Sequence, residues 1–245
     1  MSFTEVDVIV FDYGNTLIEF GPRQLKQQAQ ALEQRISEWF GPVDGERLRA
    51  FRGSQITKPY RNDFIENRFD EVMVELAKEV CGVELSDEQL AILLEERHQA
   101  FHASIAAEPE VRPLLEELRD SYRLGFISNY PCGESIRSSL QRTGLHDLFE
   151  SIVVSGEVGR IKPHPLIFET LLEEMQVTPE RCVYIGDNWL ADVQGAKRMG
   201  MKAIHLQQHE AYESFERQEG DHEPDAVIHH LEQLRDLLGR EGQTA

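Results

Sequence analysis

Short apolar runs alternate along this chain with longer amphipathic stretches. The runs Val6–Phe11, Leu124–Ile127, Ile152–Val154, Val183–Ile185 and Ala203–Leu206 are rich in valine and isoleucine and are of strand length. Most lack in–out alternation, as expected of strands covered on both faces. Between them, Val111–Leu118, Ser135–Leu140, Pro165–Met175 and Trp189–Met199 carry apolar residues at helical spacing. Gly144 and Gly200 follow two of these stretches, where a helix C-terminus favours a left-handed residue. This rhythm predicts an α/β fold built on a doubly wound parallel sheet. Asp225–Ile228 reads as a last short strand before a helix over Leu231–Leu238.

One long interval breaks the rhythm. After Phe11 the next strand pattern begins near Leu124, and the residues between are helical in character. Leu25, Leu32, Ile36 and Trp39 mark one helix face, and Phe69, Val72, Leu76 and Val80 mark another. Ser86 and Gln89 form a capping-box pattern that opens a third helix. Residues 20–107 are therefore expected to be a helical insertion, with 1–19 and 108–245 forming the sheet-containing core. The polar stretch His209–Pro224 is expected to be a solvated loop or a frayed helix.

Composition narrows the partners. Of the 245 residues, 44 are acidic and 25 basic, a formal charge of −19 that opposes nucleic acid and anionic membrane surfaces. No apolar run is long enough to span a bilayer, and the first residues lack the basic start of a secretory signal. The three cysteines, Cys81, Cys132 and Cys182, are far apart and odd in number, so a reduced, cytoplasmic protein is expected.

In an open parallel sheet, ligands bind beyond the carboxyl ends of the strands. The first strand ends in Asp12, the second in Ser128-Asn129, and the Val183–Ile185 strand in Gly186-Asp187. Lys162 sits in a proline-flanked loop just before a helix and is placed to reach the same edge. Taken singly, each has a bland explanation: a turn-capping aspartate, a helix entry, a solvated lysine. Together they bring two carboxylates, a hydroxyl and an amine to one edge. Two carboxylates repel unless a cation lies between them, and oxygen ligands of this kind suit magnesium.

These pieces resemble the haloacid dehalogenase superfamily. The motifs are Phe11-Asp-Tyr-Gly-Asn-Thr-Leu17, Ile127-Ser-Asn129, Lys162-Pro163, and Gly186-Asp187 followed by Asp192. All four occur in the family's order, and the helical interval lies where its inserted helical cap emerges. The resemblance implies a Rossmann-like core and a hydrolase using Mg2+ on a small phosphorylated substrate. It implies Asp12 as nucleophile, Ser128 as phosphoryl ligand with the Asn129 backbone nearby, and Lys162 as the charge-neutralising residue. It also implies a magnesium site formed by Asp12, the Gly14 carbonyl and Asp187, with Asp192 in support.

One position departs from the pattern. The family's phosphatases place a second aspartate, a general acid/base, two residues after the nucleophile, and here that position is Gly14. General acid–base help is worth roughly 10²–10⁴-fold. The resemblance therefore admits an enzyme specialised for good leaving groups, or one that positions water through Asn15 or a cap residue. It equally admits a non-catalytic phospholigand-binding module. The dehalogenating branch carries a tyrosine at that position. Here Tyr13 falls one residue early and is expected to point to the opposite face, yet a 2-haloacid dehalogenase remains a third reading.

Other features carry less. His98 and His102 have zinc-ligand spacing, but without further ligands they are expected to lie on a solvent-facing helix surface. Cys132 is expected to be an ordinary thiol, and Trp189 either lines the site or packs. Tyr60 and Arg61 are candidate cap contacts to substrate, and Arg160 is a candidate second positive group beside Lys162.

Overall fold

The computed structural model describes residues 3–106, 108–209 and 217–239. Six parallel strands form one sheet: β1 (Val8–Phe11), β2 (Arg123–Ser128), β3 (Ser151–Val154), β4 (Cys182–Gly186), β5 (Lys202–Leu206) and β6 (Ala226–Ile228). Their spatial order is β3-β2-β1-β4-β5-β6, with Val8 paired to Arg123 on one side and to Cys182 on the other. The chain winds outward from β1 through β2 to β3, then returns to β1's other side for β4. The direction of winding reverses there, so a crevice opens at the carboxyl ends of β1 and β4.

Both sheet faces are covered, which explains the lack of alternation in the apolar runs. Ile9, Phe11, Phe126 and Ile185 enter one core with the apolar stripe of α5 (Val111–Arg119). Val8, Val10, Ile127 and Tyr184 enter the other with Ile167, Phe168 and Leu171 of the later helix Pro165–Glu174. Gly144 and Gly200 have φ of +71° and +86°, the left-handed conformations expected after helices.

Among the described residues, four helices precede α5 in the interval between β1 and β2: α1 (Pro22–Phe40), α2 (Gly45–Arg61), α3 (Phe69–Leu76, continued by a wider turn to Cys81) and α4 (Asp87–Ser104). The Ser86 hydroxyl accepts from Gln89 N at 3.2 Å and the Gln89 side chain accepts from Ser86 N at 3.0 Å, as the capping box predicts. Leu32, Ile36, Met73, Leu76 and Leu93 form a core of their own. Periodicity does not single out α2, which buries only Leu48, Phe51 and Pro59. Asp44 opens it by accepting from Glu46 N and Arg47 N.

After β2 come α6 (Gly133–Arg142), the single turn α7 (Ser155–Val158) and α8 (Pro165–Glu174). The stretch expected as one helix over Trp189–Met199 is a widened turn, Trp189–Gln194, leading into α9 (Gly195–Arg198). The chain ends its described course in a 3-10 turn over Leu231–Gln233 and α10 (Leu234–Leu238). Of the polar stretch expected over 209–224, residues 210–216 lie outside the described residues.

The histidine expectation is corrected. His98 and His102 do not face solvent: His98 Nδ1 bonds Ser135 Oγ at 2.8 Å, and His102 Nε2 lies 2.7 Å from Ser138 Oγ and 3.1 Å from His98 Nε2. The cause is the packing of α4 on α6, a long-range contact that helical spacing does not reveal. Trp189 packs rather than lining the site. Its indole is buried, donates to Asp221 Oδ2 at 2.8 Å, and lies under the Arg217 guanidinium.

Candidate functional site

The reversal of winding at β1 brings the candidate residues together. Asp12 follows β1, Ser128 ends β2, Asp187 follows β4, and Lys162 arrives from the loop before α8. With Gly14, Asn129 and Asp192 they line one cavity of about 350 Å³. The helical insertion supplies its opposite wall through residues such as Phe69 and Phe101.

Lys162 is the hub. Its Nζ donates to Asp12 Oδ1 at 2.6 Å, to Asp192 Oδ1 at 2.7 Å and to the Tyr184 hydroxyl at 2.8 Å. Burial works against the ammonium, but the Asp12 and Asp192 charges outweigh it and hold Lys162 above its ordinary pKa. The lysine is thus a fixed cation. Asn129 anchors its backbone from both sides, accepting from Lys162 N at 2.7 Å and donating to Lys162 O at 3.2 Å. The Asn129 side chain is therefore committed to positioning the lysine loop.

The other oxygen of Asp12 accepts from Thr16 Oγ1 at 3.2 Å. Burial pushes Asp12 up to about 6, Lys162 pulls against that, and the Asp192 charge adds to it. Asp187 is raised further, to about 8, by burial and by the Asp12 and Asp192 charges. One lysine does not balance this group of acids. The pattern marks a place for an added cation.

The donor set fits such a cation. Oxygens of Asp12, Asp187 and Asp192 converge to within 4.8 Å of one another, and among the described residues no other such cluster of metal-binding side chains occurs. Within it the three differ. Asp192 has one oxygen on Lys162 and the other accepting from Asn188 N at 2.9 Å, so it orients the lysine and the turn. Asp187 receives only a long bond, 3.3 Å, from Asn15 Nδ2, while Asn15 Oδ1 accepts from Phe20 N. Both ends of Asn15 are thus engaged in holding the β1 loop. His205 donates from Nε2 to the Asp187 carbonyl at 2.9 Å and fixes the backbone after β4.

The glycine before Asp187 is dictated by space. A Cβ at Gly186 would lie 2.3 Å from Asp192 Oδ2, because the widened turn folds Asp192 back over the strand end.

Tyr13 points away from this chemistry, as strand geometry predicts. Its hydroxyl lies 2.6 Å from Ser139 Oγ on α6, inside the core. Arg160 corrects an expectation: it pairs with Asp63 at 3.4 Å and stays outside the cavity, because the segment around Ile65 bridges to it backbone to backbone. Tyr60 does line the cavity, whereas Arg61 lies in a separate groove with Lys58 and Glu75.

Sequence reasoning missed Tyr184, Thr16, Glu66 and Arg97. Tyr184 sits in an apolar strand and gives no sign that its hydroxyl reaches Lys162. Glu66, from the insertion, accepts from Ser155 Oγ, and burial raises it to about 7. The neighbouring backbone pairs across the same junction, with Ile161 N donating to Phe64 O at 2.9 Å. The insertion is thereby clasped to the loop that carries Lys162.

The arrangement can present a carboxylate nucleophile to an electrophile, neutralise charge beside it with an ammonium, and hold a divalent cation on oxygen ligands. Known proteins resemble the chain in sequence and in fold. A glyceraldehyde 3-phosphate phosphatase from Pyrococcus furiosus is 28% identical over 244 residues, 96% of this chain and 94% of that protein. Another of that name, from Methanopyrus kandleri, is 32% identical over 144 residues, 58% of this chain and 60% of that protein. The crystal structure of a 2-haloacid dehalogenase from Pseudomonas syringae pv. Tomato superimposes with a TM-score of 0.73 at 28% identity, covering 97% of this chain and all, 100%, of that one. The profile of the haloacid dehalogenase-like hydrolases matches residues 9–206, from β1 to the end of β5. The chain belongs to that family of hydrolases.

Proposed function

We propose that the protein is a magnesium-dependent phosphatase of a small phosphorylated metabolite, working through an aspartyl-phosphate on Asp12. The observation that carries this reading is the buried Lys162 ammonium, 2.6 Å from Asp12 and 2.7 Å from Asp192, with the under-compensated Asp187 beside them. Phosphoryl transfer needs little beyond positioning and charge neutralisation, and the site is built for both.

In this reading Asp12 attacks phosphorus and the ester oxygen departs. Ser128 donates to a phosphoryl oxygen, with the Asn129 backbone beside it. Lys162 offsets the charge that develops on the equatorial oxygens, and Asp192 and Asn129 hold it there. Water then releases phosphate from Asp12. Mg2+, held by Asp12, the Gly14 carbonyl and Asp187 with Asp192 in support, would neutralise the phosphoryl oxygens. Residues 20–107 act as a cap that closes over the core formed by 1–19 and 108–245, excluding water and selecting substrate.

Gly14 leaves departure of the ester oxygen without the usual acid, so acyl and anomeric phosphates are the expected favourites. The three free cysteines fit a reducing cytoplasm. No described helix is long and apolar enough to cross a membrane. The −19 charge disfavours nucleic acid as a partner. Tyr13, turned into the core, and the convergence of three carboxylates on a cation site favour phosphatase over dehalogenase.

The test is phosphate release with Mg2+ and with EDTA across a panel that includes acetyl phosphate and hexose 1-phosphates. Mg2+-dependent release, lost in Asp12→Asn, is expected. No release from any member would overturn the reading. Trapping of beryllofluoride on Asp12 without turnover would point to a phospholigand-binding module, and metal-independent halide release from a 2-haloacid to a dehalogenase.

A further inference from the structure

The cavity contains a second cation. Arg97, on α4 of the insertion, lines the same space as Asp12 and Lys162. Its Nε is sealed from solvent without a hydrogen-bond partner, and among the described residues no carboxylate pairs with it. The guanidinium lies 3.8 Å from the centre of the Phe69 ring, which itself meets Tyr130 edge to face. The Tyr130 hydroxyl, just after β2, is likewise buried and without a hydrogen-bond partner. Glu66, the insertion's acid in this cavity, is taken by Ser155 and Asn67 N. Burial pulls the guanidinium below its ordinary pKa, and the nearby Tyr130 and Cys132 only partly offset that.

A buried N–H left without a partner is costly, and a buried hydroxyl without one beside it compounds the cost. Such an arrangement persists where a ligand completes it. We propose that Arg97 and Tyr130 bind a carboxylate on the substrate, making the protein selective for phosphorylated acids over their neutral counterparts. The inference rests on the phosphatase reading of the same site.

The donor count points to a carboxylate. The free Nε–H with the guanidinium's other N–H groups offers a fork for two oxygens, and Tyr130 adds one O–H. A single positive charge balances a single negative one. A second phosphate group would bring three oxygens and nearly two charges close to the Phe69 and Phe101 rings, which line the same cavity. Arg97 is thus a specificity residue, remote from the phosphorus and acting on binding.

The experiment compares pairs that differ only in the acid: 3-phosphoglycerate with glycerol 3-phosphate, and 6-phosphogluconate with glucitol 6-phosphate. Wild type is expected to favour the acid in each pair by roughly 10–100-fold in kcat/KM, the effect of a hydrogen bond to a charged group. Arg97→Gln and the milder Tyr130→Phe are expected to lower kcat/KM for the acid far more than for its neutral partner, mainly through KM. Equal kcat/KM for the two members in wild type, or equal loss for both in Arg97→Gln and Tyr130→Phe, would overturn the proposal.

Calorimetry with phosphonoacetate and ethylphosphonate separates this from the phosphatase reading. If no phosphate is released from any ester, tighter binding of phosphonoacetate by wild type, lost in Tyr130→Phe and Arg97→Gln, still supports the carboxylate site. Equal affinity for the two phosphonates refutes it.

Discussion

Replacing Gly14 by aspartate asks whether the missing acid is what limits the chemistry. Gly14 makes a backbone bridge to Ile18, and its φ lies outside the left-handed region, so an L-residue is conformationally allowed. The new Cβ would lie 3.3 Å from Phe20 Cβ and 3.6 Å from its Cδ1. Phe20 must then yield by a few tenths of an ångström, and overpacking of that order costs about 1 kcal/mol of stability. Against this, a positioned general acid contributes roughly 10²–10⁴-fold, or about 3–5 kcal/mol of barrier. The two act on different quantities, so a slightly less stable enzyme is expected to be a faster one. Burial beside Asp12 and Asp187 would raise the new carboxyl's pKa, as it raises theirs, and keep a proton available near neutrality. The assay is kcat/KM under saturating Mg2+ for acetyl, aryl and alkyl phosphates, which form a series of increasingly basic leaving groups. The gain should be near unity for acetyl phosphate and about 10²-fold or more for alkyl phosphates. Gly14→Asn, isosteric but unable to donate a proton in the same way, should show none of this slope. An equal gain across the series, or no gain in a variant that keeps its thermal midpoint, would refute the missing-acid argument.

Lys162→Met leaves Asp12 and Asp192 buried without their shared cation. Breaking such a pair costs about 3–5 kcal/mol, so urea denaturation in EDTA should show a loss of that size, with phosphate release down by roughly 10²–10³-fold or more. Gly186→Ala places a methyl 2.3 Å from where Asp192 Oδ2 now lies, and should weaken Mg2+ binding by about 10–100-fold in calorimetry. Wild-type affinity in that variant would mean Asp192 is free to move without consequence. The pH dependence has a definite sign. Asp12 near 6 and Asp187 near 8 keep protons in the folded state that an unfolded aspartate, with a pKa of about 3.9, has released. Their contribution is therefore fully present below about pH 4 and is lost as pH rises through about 6 and then 8. The stabilisation by Mg2+ should grow over the same window, because the cation displaces those protons. A Mg2+-induced shift in thermal midpoint that is the same at pH 6 and pH 8 would contradict this.

Much of the site was legible because its residues sit at predictable places on a predictable scaffold. Uninterrupted apolar runs such as Val183–Ile185 identify strands buried on both faces. In a parallel sheet the residue after such a strand lies on the ligand-binding edge. That rule alone brings Asp12, Ser128 and Asp187 together without any knowledge of strand order. The departures have a common origin. Local sequence around Arg160 and His98 is silent on their surroundings, which are set by the contact of the insertion with the loop before Lys162 and with α6.

What the sequence alone determined is the set of local choices: strand or helix, the caps, the inserted helical interval, and which polar residues stand at strand ends. Tertiary structure decided the rest. The placement of β1 between β2 and β4 makes the crevice, and the burial of Lys162 against an aspartate 150 residues away turns a loop lysine into a fixed cation. The docking of α4 brings the unpartnered Arg97 Nε and Tyr130 hydroxyl into the same cavity. Charge compensation is a pairwise property across long stretches of chain, and periodicity reports only on which face a residue's own element presents. A buried cation with no acid beside it is therefore invisible until the fold closes around it.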